Sequence, residues 1–313
     1  MRPEISVQIP VKDGGENFRI TLESLRNQDM YGIPWELIVI DDGSSVPVEQ
    51  QFDLSFPEEV SVKVIRRETG GNRPAARNRG WQEASAPLSF ISDGDIRFPS
   101  DILRKHLEMH REGHGDVIMG ARINAWKKDS SPWQKWFDTR AMGNREADIF
   151  SPRHFVTGNL SLPTGLLESS GGFDPRIDRY GGEDTELGFR LAGQGVTFYW
   201  NPDIKVDHLD TVTVREHSRK MIEYGSSGLK YTLKNIPESA GMLGSDWIKP
   251  LFDAPAYPGT VIMRLVTKIA LLPPVYRCVL AWMEKAGAPG FLFTYLSVGA
   301  CLMGLTGKDF EKQ

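Results

Sequence analysis

The stretch WELIVIDDGS, residues 35–44, decides the fold of this 313-residue chain. Its first part, from Trp35 to Ile40, is a short apolar run typical of interior parallel strands, which are buried on both faces. The run stops sharply at a polar turn that begins with Asp41 and Asp42. We therefore expect a buried strand that carries two adjacent carboxylates at its carboxyl end.

Comparable strand and helix patterns lie on both sides of this stretch. They follow the order strand, helix, strand, strand, helix, strand, and the further segments are Ile5–Val11, Asn17–Arg26, Val60–Ile65, GGNRPAARNRGW (70–81) and Pro87–Ser92. This order predicts an α/β sheet with crossover connections. Ligands of such sheets bind outside the carboxyl ends of the strands, where four carboxylates fall: Asp41, Asp42, Asp93 and Asp95.

A second acidic feature is GGEDTELGFRL, residues 181–191, which places Glu183 and Asp184 at the predicted start of a helix. The positive end of the helix dipole favours the ionised form of such a carboxylate, which suits a general base. An acidic pair at this position is also a common helix cap. The separate SDGD cluster at residues 92–95 favours a functional site.

The bulk composition describes an ordinary globular chain, with 40% hydrophobic and 25% charged residues. A net charge of −4 gives no support for binding nucleic acid through a broad basic surface. Cys278 and Cys301 are expected to be buried free thiols. Together with a strand-like N-terminus that does not resemble a signal peptide, they favour a cytoplasmic location.

Several common sites do not match. Asp93-Gly-Asp95 offers hard oxygen ligands for Mg²⁺ or Mn²⁺, but a calcium EF-hand is excluded because Phe98 and Arg104 occupy its glycine and glutamate positions. No P-loop occurs, and no G-x-G-x-x-G follows the first strand. Histidines at residues 106, 110 and 114 repeat at helical spacing, and we expect a solvated helix face rather than a zinc site.

The C-terminal part has a different character. Residues 288–306 contain no charged side chain and approach the length of a membrane span, but Pro289 and glycines interrupt the run. A membrane-surface segment, a packed helical subdomain or oligomer interface, and a true span are the three alternatives. We expect a catalytic domain at residues 1–215 and a helical region at 216–313.

The ordered set IPVKDGG, VIDDGS, AARNRGW, SDGD and GGEDTELGFRL resembles the family 2 glycosyltransferases over roughly residues 4–210. The D-x-D triplet alone is common by chance, whereas the ordered set is specific. The resemblance implies a GT-A-type nucleotide-binding sheet flanked by helices, with a mainly helical C-terminal extension. Residues 171–187 are also similar to the acidic region of galactosyl- and N-acetylhexosaminyltransferases, which makes UDP the preferred nucleotide and leaves GDP and dTDP open.

The resemblance also implies residue roles in a donor site at about residues 4–100. Pro10 and Val11 would line the nucleotide base through their backbone, and Asp42 would read the base edge. Asp41 would support Asp42 or bind the ribose. Arg73 or Arg77 would approach the base or the diphosphate.

Asp95 would bind Mn²⁺ or Mg²⁺, Asp93 would contact the ribose or a metal-bound water, and His208 would complete the metal site. The acceptor and catalytic part would lie at about residues 120–215. Asp184 would be the catalytic base. Glu183 would orient the acceptor or serve as the alternative base.

The implied reaction is a metal-dependent, inverting transfer of a hexose or N-acetylhexosamine from a nucleotide sugar. The acceptor would be a hydroxyl of a glycan, a lipid-linked glycan or a small molecule. The enzyme would act in the cytoplasm, with the inner face of the membrane or a second subunit as partner of its C-terminal region. The rival hypotheses are a sugar nucleotidyltransferase and a non-catalytic, membrane-associated assembly subunit.

Overall fold

The computed structural model describes residues 2–125, 131–138, 146–243, 268–286 and 290–311. The chain forms two compact units. The first is built from residues 1–127, 138–178 and 183–211, and the second from residues 128–137, 179–182 and 212–313. The predicted roles of 1–215 as a catalytic domain and of 216–313 as a separate region stay predictions.

One mixed sheet organises the first unit. Within the described residues its strands are β1 (Ile5–Val11), β2 (Trp35–Asp41), β3 (Val60–Arg66), β4 (Leu88–Ile91), β5 (Ile96–Arg97), β6 (Val117–Asn124), β7 (Asp148–Ile149), β8 (Leu160–Pro163) and β9 (Phe198–His208). They run in the order β3-β2-β1-β4-β8-β6-β9-β5, and β7 pairs with β9. Strands β1 to β4 are mutually parallel, whereas β8 is antiparallel to both of its neighbours. The predicted α/β fold class is confirmed.

Helices flank this sheet. They are α1 (Gly15–Arg26), α2 (Val48–Gln51), α3 (Arg73–Gln82), α4 (Ile102–Arg111), α6 (Thr164–Ser170) and α7 (Glu183–Gly193), while α5 (Pro132–Asp138) lies mostly in the second unit. Helix α1 buries Phe18, Leu22 and Leu25, the three apolar positions that share one helical face. Helix α3 begins where the Asn72 side chain accepts a hydrogen bond from the Ala75 N–H.

The histidines of α4 differ from the prediction of a solvated face. His106 is fully buried, and its two ring nitrogens lie 2.7 Å from Ser161 Oγ and 2.9 Å from Asn159 Oδ1. Burial lowers the pKa of His106 to about 3, so the ring is neutral at physiological pH. The sequence pattern shows the helical spacing but not the neighbouring strand β8 that covers this face.

A bulge in the β6–β9 pairing shapes the edge of the sheet. The register shifts between Gly120 and Ala121, where Ala121 pairs with Lys205. The Asn159 side chain fills this irregularity, because its amide donates to the carbonyls of Ala121 and Ile204, each at 3.0 Å. Asn159 is only 2% exposed. The bulge sets the direction of the last residues of β6 and β9.

The second unit is helical in its described part. It contains α8 (Val214–Tyr224), a π-helix (Gly225–Leu229), α9 (Lys230–Asn235), α10 (Ser239–Met242), α11 (Pro273–Ala286) and α12 (Gly290–Leu305). Its core is apolar and includes Tyr276, Phe293 and Leu296. Trp133 stacks on Trp136 with ring centroids 5.2 Å apart and lies 5.4 Å from the Phe293 ring.

Helix α12 lies within the charge-free run at residues 288–306 and buries one of its faces in this core. None of the helices within the described ranges combines the length and apolar character that a bilayer crossing requires. The predicted burial of both cysteines is wrong for Cys278, which is exposed, and Cys301 is only partly buried. The sequence also predicts a functional loop at residues 125–156, which are rich in tryptophan and arginine, and an apolar helix at 261–272. Trp126, Arg140 and Arg145 of the first segment, and residues 261–267 of the second, lie outside the described residues.

Candidate active site

The carboxyl ends of β1, β2 and β4 meet at one edge of the sheet. Pro10 pairs with Ile40 and Val11 with Asp41 in the parallel ladder. The Asp42 N–H then donates to the Val11 carbonyl at 2.8 Å. The structure thus places four of the predicted donor-site residues side by side, as the topology rule for parallel sheets requires.

The Asp41 carboxylate closes the turn that follows β2. It accepts hydrogen bonds from the backbone N–H groups of Ser44 at 2.8 Å and Val48 at 3.2 Å, and from Arg66 Nη1 at 2.6 Å. Burial opposes ionisation of this group, but these donors hold the pKa of Asp41 below its usual value. Both oxygens of Asp41 therefore bind groups of the protein itself.

The Asp42 carboxylate is held by the loop that follows β3. One oxygen pairs with Arg67 Nη1, and the other accepts the Gly71 N–H at 2.9 Å. Gly70 lies so close that an added β-carbon would collide with the Asp42 carbonyl oxygen. This glycine therefore permits the approach of the two loops.

Arg77, on α3, joins the two acidic clusters that the sequence singled out. Its guanidinium donates to Glu183 Oε1 at 2.7 Å and to Asp93 Oδ1 at 3.2 Å, and it lies 3.6 Å from Asp184 Oδ1. Burial opposes the charge on Arg77, but these three carboxylates raise its pKa. Arg77 is buried, whereas Arg73 is exposed at the first residue of α3.

The SDGD loop meets the end of β9. Ile96 pairs with His208, and the Leu209 N–H donates to the Asp95 carbonyl at 2.8 Å. As a result His208 Nε2 lies 3.3 Å from Asp95 Oδ2. The other ring nitrogen of His208 lies 3.1 Å from Asn124 Oδ1, which fixes the ring orientation.

These groups fit a divalent cation. The carboxylate oxygens of Asp95 and the imidazole of His208 are donors that Mn²⁺ and Mg²⁺ sites use. Oδ1 of Asp95 is buried and has no hydrogen-bond partner among the described residues. A buried acceptor of this kind requires a partner, and a metal ion would provide one. Within the described ranges no group of three His, Cys, Asp or Glu side chains is placed to hold a metal ion.

Glu183 and Asp184 are the first two residues of α7, and their surroundings differ. Glu183 Oε1 is ion-paired with Arg77. Oδ2 of Asp184 accepts hydrogen bonds from the backbone N–H and the hydroxyl of Thr157, each at 3.1 Å. Burial raises the pKa of Asp184 to about 6, and the charge of Arg77 opposes this effect. The group is ionised at neutral pH but can take up a proton readily.

Residues 6–171 match the family model described as Glycosyl transferase family 2. The chain belongs to this family. It is 28% identical over 222 residues to validoxylamine A glucosyltransferase of Streptomyces hygroscopicus subsp. limoneus, with 62% of this chain and 49% of that protein covered. It is 22% identical over 246 residues to pre-mycofactocin glycosyltransferase of Mycobacterium tuberculosis, with coverages of 77% and 50%. The chain thus spans about half the length of these curated relatives.

Solved structures show the same fold. The mannosyltransferase PcManGT from Pyrobaculum calidifontis, in complex with GDP-Man and Mn²⁺, superposes with a TM-score of 0.61 at 17% identity, covering 99% of this chain and 89% of that one. S. aureus TarS 1-349, in complex with UDP, gives a TM-score of 0.52 at 15% identity, with coverages of 97% and 90%. The predicted GT-A-type fold and the predicted membership of glycosyltransferase family 2 are confirmed.

Some residues of the candidate active site were not indicated by any sequence pattern. Thr157 holds Asp184, and Arg122 Nη1 lies 3.6 Å from Asp93 Oδ2. Between them Gly158 has a φ of +114°, and a β-carbon there would press on both Asp93 and Arg122. The segment Val-Thr-Gly-Asn, residues 156–159, carries no acidic pair or known motif. Within this segment Gly158 is the local feature that could have indicated an unusual backbone position.

Proposed function

We propose that this protein is a divalent-metal-dependent, inverting glycosyltransferase that moves a hexose or N-acetylhexosamine from a nucleotide sugar to an acceptor hydroxyl. The observation that carries the proposal is the chain of contacts through Arg77. It links Asp184, a buried carboxylate with a raised pKa, to Asp93 in the loop that holds Asp95. A proton acceptor and a cation site are thereby held on one rigid scaffold.

The nucleotide would bind at the ends of β1 and β2. Val11 and Pro10 would offer backbone contacts to the base, and Asp42, fixed by its two donors, would read the base edge. UDP is the proposed nucleotide, supported by the similarity of the acidic region and by the complex of TarS with UDP. The complex of PcManGT with GDP-Man makes GDP the principal alternative.

Asp95 and His208 would hold the divalent cation, with Asp93 beside them. When bound, such a cation neutralises the charge that develops on the leaving diphosphate. Arg77 pairs with one oxygen of Asp93 and Arg122 lies near the other. The guanidinium groups of these two arginines thus restrict the Asp93 side chain and reduce its repulsion of the phosphates.

Asp184 is the proposed base. The acceptor oxygen forms the new bond to the anomeric carbon while the bond from that carbon to the diphosphate oxygen breaks. The hydroxyl proton passes to the Asp184 carboxylate. Glu183 is the weaker candidate because its Oε1 accepts a hydrogen bond from Arg77 Nη1 at 2.7 Å, whereas Asp184 Oδ1 lies 3.6 Å from the same nitrogen. Proton removal of this kind contributes about 10²–10⁴-fold to rate.

The test is a calorimetric titration with UDP, GDP and dTDP and their sugar conjugates, with and without Mn²⁺. We expect one nucleotide to bind in a metal-dependent way, and Asp95→Ala to lose that dependence. Asp203→Ala is the control, since it removes an exposed carboxylate from β9, the strand that carries His208. Metal-independent binding that Asp95→Ala leaves unchanged would overturn the cation site.

Turnover is then followed with an acceptor panel. Two relatives are named for validoxylamine A and pre-mycofactocin, so the panel includes small hydroxylated molecules beside glycans and lipid-linked glycans. Release of nucleoside diphosphate supports transfer. Release of pyrophosphate would instead identify a nucleotidyltransferase, and absence of all nucleotide binding would favour the assembly-subunit hypothesis.

A further inference from the structure

One threonine makes two hydrogen bonds to a single oxygen of Asp184. Both the N–H and the hydroxyl of Thr157 donate to Oδ2 at 3.1 Å. Thr157 is 2% exposed, so water does not compete for these bonds. The other oxygen, Oδ1, is buried and lies 3.6 Å from Arg77 Nη1.

This asymmetry matters because the last torsion of an aspartate side chain is soft and roughly two-fold. Without an anchor, the plane of the carboxylate would turn about this torsion and its proton-accepting lone pairs would change direction. The two bonds from Thr157 hold Oδ2 and thereby fix this plane, with Oδ1 on the side of Arg77.

The anchor is itself fixed to the strand that leads to the metal loop. The N–H of Gly158 donates to the Ile91 carbonyl at 3.2 Å, and the Ser92 hydroxyl donates to the Gly158 carbonyl at 2.7 Å. Ser92 is directly followed by Asp93. A displacement of β4 would therefore move both the SDGD loop and the residue that holds Asp184.

We propose that Thr157 is a positioning residue for the transfer reaction, fixing the orientation in which the Asp184 carboxylate accepts the acceptor's proton. The proposal rests on the role of Asp184 given under the proposed function. The charged groups facing Asp184 are Arg77, Glu183 and Asp93. A substitution of Thr157 leaves these charges unchanged, so its effect reports the lost hydroxyl donor.

The test compares Thr157→Val with Thr157→Ser and with a matched control elsewhere in the sheet. Thr197 makes the same pair of contacts, from its N–H at 2.8 Å and its hydroxyl at 2.7 Å, to one oxygen of Asp116. Thr197→Val therefore removes the same kind of hydrogen bond without touching Asp184.

For Thr157→Val we expect kcat to fall roughly 10- to 100-fold, as for a displaced reacting group, while the Kd for the nucleotide is unchanged. The acid limb of the pH–rate profile should move to higher pH, because the lost donor had favoured the ionised carboxylate. Thr157→Ser should restore both kcat and the profile, and Thr197→Val should match the wild type. If Thr157→Val does not fold, Thr157→Ala carries the same comparison.

A wild-type kcat and pH profile in Thr157→Val would overturn the proposal, and so would an equal loss in Thr197→Val. Asp184→Asn, measured in parallel, separates this proposal from the proposed function. Turnover that survives Asp184→Asn refutes the base itself. Turnover lost in Asp184→Asn but retained with a normal profile in Thr157→Val refutes only the role of Thr157.

Discussion

At the scale of a single residue, two opposing effects act on the Asp184 carboxyl: burial raises its pKa and the charge of Arg77 lowers it. The pKa of its carboxyl is about 6 in the folded chain, against an ordinary value of 3.8, because burial disfavours the charged form. As the pH falls through about 6 the folded protein takes up a proton that the unfolded chain does not yet bind. The ionised group therefore lowers stability above about pH 6, and this cost is absent below pH 3.8.

Asp184→Asn should consequently abolish transfer and raise the melting temperature at pH 7.5. The gain in melting temperature should shrink as the pH falls below 6, since the wild-type carboxyl is then neutral as well. Calorimetric scans at pH 4.5, 6 and 7.5 check this, with nucleotide binding as the control for an intact donor site. A variant that is less stable than the wild type at pH 7.5 would contradict the expected sign.

The Arg77 side chain gives a second prediction at this scale. Arg77→Ala leaves the Glu183 carboxylate buried without its partner, and removal of one member of a buried pair costs about 3–5 kcal/mol. Arg79→Ala, on the same helix, breaks a half-exposed pair with Glu83 and should cost about 0–1 kcal/mol. Urea unfolding of the two variants makes the comparison. Equal losses of unfolding free energy would show that the Arg77 pair contributes no more to stability than the half-exposed pair of Arg79.

At the scale of elements, the loops after β2 and β3 depend on close backbone approach. Gly70→Ala places a methyl group against the Asp42 carbonyl, so the loop that carries Asp42 must move. We expect a stability loss of about 1–3 kcal/mol, typical of overpacking, together with weaker nucleotide binding. Gly165→Ala is the control, because an added β-carbon there has open space. Unchanged nucleotide affinity in Gly70→Ala would show that Asp42 does not take part in nucleotide binding.

The same scale shows how far sequence reasoning reaches. Strands β1 and β2 and the start of α7 were predictable because each is encoded by its own apolar period, polar stop or glycine pair. The role of Thr157 was not, since it depends on a residue 27 positions away. The contact of Arg77 with Glu183 was not predictable either, since the two residues lie 106 positions apart. The burial of His106 likewise depends on β8, which no pattern in α4 reveals.

At the scale of the whole molecule, the second unit takes residues from the middle of the chain as well as from its end. Trp133 and Trp136 pack with Phe293 and His217 there. A chain shortened to residues 1–211 keeps the two tryptophans and loses both partners. We expect it to bind the dye ANS and to aggregate, because it exposes a large apolar patch.

Size-exclusion chromatography and ANS fluorescence of the shortened chain test this. The same chain with Trp133→Ser and Trp136→Ser should bind less dye, which ties the effect to these side chains. A monomeric shortened chain that binds no ANS would mean that the tryptophans are covered without the C-terminal helices.

The buried amide of Asn159 has a practical consequence. Asn159-Leu-Ser is an acceptor sequence for N-linked glycosylation, but in the folded chain this side-chain nitrogen already donates to the carbonyls of Ala121 and Ile204. A glycan attached to that nitrogen is bulky and needs a surface position, which the β6–β9 bulge does not provide. Protein produced through a secretory pathway would therefore contain two fractions. One is folded and carries no glycan, and the other is glycosylated and cannot form the β6–β9 pairing.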